Sequence, residues 1–136
     1  MGTVIYISWY EIDDYIDSII EQIEETGTEV KKVVGIARGG LIPAVMISHR
    51  LRCDFDMVCW QTRDGNIQDI EKIKSLNKGT LIVDDICDTG KTIADIKELN
   101  DNLKYAVLIN KQEVPMVDFS AKNLYNSDWI CYPWER

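Results

Sequence analysis

Short apolar runs alternate with helical patterns along most of the chain, and this alternation is the strongest constraint on its fold. Residues 4–7 read as a first strand. Ser8 and Glu11 then form a Ser-x-x-Glu capping box, and Ile12, Tyr15, Ile16, Ile19, Ile20 and Ile23 recur at helical spacing until Gly27 ends the pattern. Residues 33–37 read as a buried strand that ends in Arg38-Gly39-Gly40. A helix follows over 41–51, with Pro43 tolerated in its first turn. Residues 55–60, 80–83 and 105–109 read as further strands, and 91–99 as a helix. In the polar stretch 61–78, Ile67, Ile70 and Ile73 mark a short helix or part of a mobile flap. The order strand, helix, strand, flap, strand, helix, strand predicts an α/β fold with a mainly parallel central sheet flanked by helices. Its 136 residues suit one domain over 1–136. In such sheets ligands bind beyond the carboxyl ends of the strands, which places loops 38–40 and 85–90 on one crevice.

Composition narrows the function. Hydrophobic residues at 46% and charged residues at 28% match a packed globular chain and exclude a disordered one. The longest apolar stretches run five or six residues, far short of a bilayer span, and the N-terminus lacks the pattern of a secretory signal. Gly2 does not fit a myristoylation motif, because Tyr6 stands where Ser or Thr is required. The expected location is cytoplasmic, with no membrane partner. A net charge of −8 argues against nucleic acid as a partner. It leaves room for a small anion held by backbone amides and a few placed cations. The cysteines Cys53, Cys59, Cys87 and Cys131 form no Cys-x-x-Cys pair, and His49 is the only histidine, so the expectation is free thiols and no zinc site.

The chemistry concentrates in residues 80–92. A strand runs into Asp84 and Asp85; Asp88 follows, then Thr89-Gly90-Lys91-Thr92 at the start of a helix. A helix N-terminus preceded by glycine and hydroxyl residues offers free amides and a positive dipole end to phosphate. Three aspartates beside an anion site would repel it unless they serve another part of the ligand, and ribose hydroxyls or hydrated Mg2+ both suit carboxylates. The pattern therefore calls for phosphate at one end of the ligand and a diol or metal at the other. Gly90-Lys91-Thr92 resembles the end of a phosphate-binding Gly-x-x-x-x-Gly-Lys-Thr loop, but Asp85 stands where its first glycine belongs, which removes the nucleotide triphosphatase reading. An ordinary strand-to-helix turn capped by Asp88 or Thr89 accounts for one aspartate and not the string.

The segment from Val83 to Thr92 closely resembles the phosphoribosyl-pyrophosphate motif of the type I phosphoribosyltransferases. The resemblance implies that Asp84 and Asp85 meet the ribose hydroxyls and Mg2+, while Asp88, Thr89, Gly90, Lys91 and Thr92 wrap the 5′-phosphate. Cys87 takes a position usually filled by a small apolar residue. Three further segments resemble the purine-using, bacterial xanthine–guanine branch. The segment from Ala37 to Pro43 is similar to its pyrophosphate loop, with Arg38 as cation and Gly39 for close backbone approach. Lys111, by its position alone a solvent-facing lysine at a strand end, corresponds to a lysine that donates to the 6-oxo group of the base. The tail from Asp128 to Glu135 resembles the base-binding segment, with Trp129 stacking on the purine and the Ile130 backbone at its edge.

The implied activity is Mg2+-dependent transfer of phosphoribosyl from 5-phosphoribosyl-1-pyrophosphate to a 6-oxopurine, with Asp88 managing the proton near purine N7. It also implies a flap over 61–78, a base-binding hood over 112–136, and a homodimer or homotetramer. Two departures stand out. Gln61-Thr62-Arg63 replaces the usual flap residues, and Gln68 and Asp69 stand where a basic residue is expected, leaving Arg63, Lys72 or Lys74 as substitutes. The chain also ends soon after the tryptophan segment. The rival readings are a non-catalytic regulator of the same fold that binds nucleotide or phosphoribosyl pyrophosphate, and a transferase for another base.

Overall fold

The computed structural model describes residues 2–60 and 69–136. Along the chain run β1 (Val4–Tyr6), α1 (Trp9–Thr26), β2 (Lys32–Ala37), α2 (Leu41–Leu51), β3 (Asp54–Cys59), α3 (Ile70–Lys74), β4 (Thr80–Cys87), α4 (Lys91–Leu99), β5 (Lys104–Asn110), β6 (Phe119–Asn123) and β7 (Trp129–Cys131), and a 3-10 turn (Pro133–Glu135) follows.

The capping box forms as its residues dictate. The Glu11 N–H donates to Ser8 Oγ and the Ser8 N–H to Glu11 Oε1, both at 3.1 Å. From there Ile12, Ile16, Ile19, Ile20 and Ile23 line the buried face of α1, and Gly27 ends it in a left-handed conformation at φ 68°. The α2 and α4 bounds agree with the sequence pattern.

The main sheet has the order β3-β2-β4-β5-β6 with every neighbour parallel. Helices cover both faces, so its strands read as continuous apolar runs instead of alternating ones. Val33, Leu81, Val83, Ala106 and Leu108 pack with α1 and α2 on one side. Val34, Ile36, Ile82, Tyr105 and Val107 pack with α3 and α4 on the other. Buried Asn100, just after α4, donates from Nδ2 to the carbonyls of Ile73 and Leu76 at 2.8 and 2.9 Å, tying α3 to α4. No helix among the described residues is long and apolar enough to cross a membrane.

Three findings extend the sequence reading. β4 continues past Val83 to Cys87, because its ladder with β5 runs on to Cys87↔Asn110 and overrides the low strand preference of aspartate. In the C-terminal segment, β6 joins the main sheet beside β5. The hood is a second, two-stranded sheet that β7 forms with β1, so both ends of the chain build it. Of the stretch 61–78, residues 61–68 lie outside the described residues, and α3 occupies part of the remainder.

Ile19 is fully buried at the centre of the α1 face. Ile19→Ala should lower the unfolding free energy by about 3 kcal/mol in urea titrations. A loss below about 1 kcal/mol would mean that this helix does not pack as described.

Candidate active site

β2 and β4 run side by side only as far as Gly35↔Val83. Beyond that pair β2 continues with β3 to Ala37↔Cys59, and β4 continues with β5 to Cys87↔Asn110. The chain leaves β2 for a helix on one face and β4 for a helix on the other, so the strand order reverses here and a crevice opens at the carboxyl ends. Loop 38–40 lies in this fork, entered through a cis peptide between Ala37 and Arg38. A Cβ on Gly39 would meet the Asp85 carboxyl carbon at 2.7 Å, and one on Gly40 would meet the Ile36 carbonyl at 2.9 Å. Only glycine permits an approach this close.

Asp84 and Asp85 line the β4 side of the fork, and the Asp85 N–H donates to Asp84 Oδ1 at 2.8 Å. Burial, and then the neighbouring Asp85 carboxylate, push the Asp84 carboxyl well above its ordinary pKa. Burial likewise raises Asp85. Among the described residues no cation forms an ion pair with either acid. The crevice therefore carries uncompensated negative charge where a cation or sugar hydroxyls would be welcome.

Immediately beyond β4 the chain turns through Asp88 and Thr89 into Gly90, left-handed at φ 83°, and α4 begins. Gly90 makes no side-chain cap, and the Lys91 N–H donates to Thr89 Oγ1 at 3.3 Å. A cavity of about 220 Å³ sits against this turn, lined by Asp84 and residues 86–93. Its open amides and the helix dipole suit an anion the size of a phosphate. The Lys91 side chain faces away along the helix, with Nζ 3.0 Å from Asp95 Oδ2, which leaves its backbone to serve the turn. Cys87 is buried in the core, where burial, then the Asp84 and Asp88 charges, raise its thiol pKa and make it a poor nucleophile.

Lys111 follows β5. Its N–H donates to the Cys87 carbonyl at 2.9 Å, and its Nζ donates to the Asp128 carbonyl at 2.6 Å. The ammonium is thus suspended between the end of the sheet and the hood, one residue before Trp129. Lys111, Asp88, Gln112 and Tyr125 share an open cavity of about 410 Å³. Trp129 stands 70% exposed on β7, while the Ile130 side chain turns into the core and its backbone pairs with Ile5.

The structure thus gathers Arg38, Gly39, Asp84 and Asp85 at the fork, joins Asp84 to 88–92 around one cavity, and joins Asp88 to Lys111 around the next. Asp88 belongs to both cavities. Trp129 lines neither and is connected through Asp128 and Lys111. Of the alternative cations, Arg63 lies outside the described residues. Lys72 donates to Asp56 Oδ1 and to the Met57 carbonyl, and lines a cavity with Lys32 and Thr80 at the opposite end of the sheet. Lys74 stays near Glu71.

Sequence reasoning missed three residues here. The Gln112 side-chain amide donates to the Asp88 carbonyl, Met116 packs against Gly90, and the Tyr132 hydroxyl donates to the Asp85 carbonyl at 2.7 Å. Each acts across a long or irregular connection, and neither the segment resemblance nor any spacing rule gives these side chains a partner. No group of three or more side chains able to ligate a metal occurs among the described residues, so any divalent ion here would take part of its coordination from substrate and water.

Comparison with known proteins identifies the family to which this fold belongs. Xanthine-guanine phosphoribosyltransferase of Chromohalobacter salexigens is 30% identical over 135 residues, covering 95% of this chain and 82% of that one. The enzyme of the same name from Nitratidesulfovibrio vulgaris is 27% identical over 136 residues, covering 95% and 83%. The crystal structure of purine phosphoribosyltransferase from Pyrococcus horikoshii superposes with a TM-score of 0.77 at 27% identity, covering 100% of this chain and 95% of that one. The phosphoribosyl transferase domain matches residues 8–131, and the chain belongs to that family of transferases.

Proposed function

We propose that this protein transfers the phosphoribosyl group of 5-phosphoribosyl-1-pyrophosphate to a 6-oxopurine (guanine, xanthine or hypoxanthine), giving a purine nucleoside monophosphate and pyrophosphate. The observation that carries the proposal is the pair of cavities meeting at Asp88, one a phosphate-sized cradle and the other bearing the Lys111 ammonium. The names of the related enzymes support the same substrate class.

The 5′-phosphate would take the amides of the 88–92 turn, which places the ribose over Asp84 and Asp85 and its C1 between the fork and Lys111. Purine nitrogen attacks C1, the bond to pyrophosphate breaks, and C1 carries oxocarbenium character in between. The buried carboxylates would stabilise that positive charge, and Arg38, at the mouth of the fork, would supply a cation to the departing pyrophosphate. Asp88 would hold the proton at purine N7. Lys111, a donor only, selects a 6-oxo over a 6-amino group. Asp84 and Asp85 fit Mg2+, because they are carboxylates with no cationic partner among the described residues, and because Mg2+ uses one or two carboxylates with substrate phosphates. When bound there, Mg2+ supplies positive charge against the leaving pyrophosphate.

Purified protein given phosphoribosyl pyrophosphate, Mg2+ and a panel of guanine, xanthine, hypoxanthine, adenine, uracil and orotate should form nucleotide with 6-oxopurines. Absence of product with every base would sink the proposal, and tight binding without turnover would point to a regulator. Asp88→Asn should lower kcat by about 100-fold. Lys111→Ala should raise KM for guanine by about tenfold or more while barely affecting residual adenine use; an unchanged preference would remove Lys111 from the base site.

Asp84 also makes a prediction about stability. Its pKa in the fold lies above the ordinary 3.8, so the native state binds the proton more tightly than the unfolded chain does. Its penalty on stability is absent below that value and grows as pH rises toward neutrality. Asp84→Asn should therefore melt a few degrees higher than the wild type at pH 7, with the gain vanishing near pH 3, and should lose most activity. A variant melting lower at pH 7 would contradict the charge crowding described above.

A further inference from the structure

We propose that Tyr132 is a positioning residue for the ribose and pyrophosphate half of the site, its hydroxyl fixing the backbone of Asp85 and through it the loop that carries Arg38. This inference rests on the phosphoribosyl-transfer reading above and gives a role to a residue of the 128–135 tail to which the resemblance assigns none. The side chain is 1% exposed, and its hydroxyl donates to the Asp85 carbonyl at 2.7 Å across 47 residues of chain.

An aromatic stack holds the ring, and the turn that follows holds its backbone. It stacks on Trp134 with centroids 4.8 Å apart and planes 5° from parallel, and Trp134 rests against Trp9 at 5.9 Å. The Tyr132 N–H donates to Glu135 Oε1 at 2.7 Å, which closes the 3-10 turn upon itself. Burial, and then the Asp85 carboxylate, push the phenol's pKa up, so at neutral pH it is a hydrogen-bond donor.

What the bond controls follows from the fork. The Asp85 carboxyl fills the space over Gly39, where a Cβ would lie 2.7 Å from its Cγ, so the height of the Asp85 backbone sets the position of loop 38–40. The same turn reaches that loop directly, because Trp134 and Glu135 line a cavity of about 440 Å³ with Arg38 and Gly39. Tyr132 also follows β7 without a break, so the strand carrying Trp129 continues into the brace on Asp85. Packing alone would be met by phenylalanine. The hydroxyl makes its one bond to a residue of the fork, where a shift of a fraction of an ångström changes how substrate is held.

The decisive comparison uses the full chain with Tyr132→Phe, which keeps the ring. Phosphoribosyl-pyrophosphate binding in the presence of Mg2+ is measured by calorimetry, and KM and kcat for both substrates by steady-state kinetics. The variant should bind phosphoribosyl pyrophosphate about tenfold more weakly and raise its KM likewise, with KM for guanine at saturating phosphoribosyl pyrophosphate within about twofold. Its melting temperature should move by only a few degrees. Glu135→Ala, which frees the turn from outside, should weaken the same affinity by about threefold and provides the test should Tyr132→Phe not fold. Unchanged phosphoribosyl-pyrophosphate affinity would overturn the assignment. So would losses for both substrates that track the melting temperature. A wild type that binds phosphoribosyl pyrophosphate tenfold better than Tyr132→Phe yet turns over no base would refute the catalytic reading and leave this one standing. A wild type that fails to bind it would refute both.

Discussion

Everything functional in this molecule depends on β2 and β4 parting after Gly35 and Val83. While the two strands pair, their backbone groups satisfy one another and no room exists for a ligand. Once they part, each keeps one neighbour, and the space between is filled by loop 38–40 and the two β4 carboxylates. The parting is a consequence of chain direction. A right-handed crossover from β2 must place α2 on one face, and a right-handed crossover from β4 toward the other edge must place α4 on the opposite face. The crevice exists because the topology requires it, and glycine at 39 and 40 is what allows backbone to enter it.

That geometry explains how a chain of net charge −8 can offer a site for anions. Overall charge acts weakly at a distance through screening water, whereas a phosphate in the proposed cradle would meet amides and a helix end at contact range. The acids are segregated from that cradle by position along β4, with Asp84 and Asp85 on the strand and the 88–92 turn beyond it. Burial raises the protonation tendency of both carboxylates, and the Asp85 charge raises that of Asp84 further, a cost in stability that a cation or sugar hydroxyls in the fork would relieve.

How much of this could be read from the chain depends on how local each signal is. Ser8, Glu11 and the isoleucine stripe of α1 act within a few residues of themselves, and so the helix was legible to its ends. The string from Val83 to Thr92 was legible for a similar reason, since the strand, the acids and the helix start are consecutive and their chemistry does not depend on distant partners. β4 was read too short because Asp84 and Asp85 disfavour strand, and only the ladder with β5, more than twenty residues away in sequence, holds them extended. β6 and β7 were missed because neither run is continuously apolar: 119–123 ends in Lys122 and Asn123 at a sheet edge, and β7 pairs with the opposite end of the chain. Gln112 and Tyr132 reach their partners across 24 and 47 residues, and no spacing rule anticipates such contacts.

These long-range bonds unite a site assembled from separate loops. Gln112 takes the Asp88 carbonyl from the base side, Tyr132 takes the Asp85 carbonyl from the tail, and Lys111 takes the Asp128 carbonyl from the hood. In each case the side chain grips backbone and not a carboxylate of the site. Asp88 is central because it lines the phosphate cradle and the Lys111 cavity alike. In the proposed reaction a carboxylate at that junction would face both the sugar and the base, and its backbone is held by the Gln112 amide. The fold therefore sets the positions of Asp85 and Asp88 through main-chain bonds from residues far away in sequence, which is how separate loops come to hold one site in place.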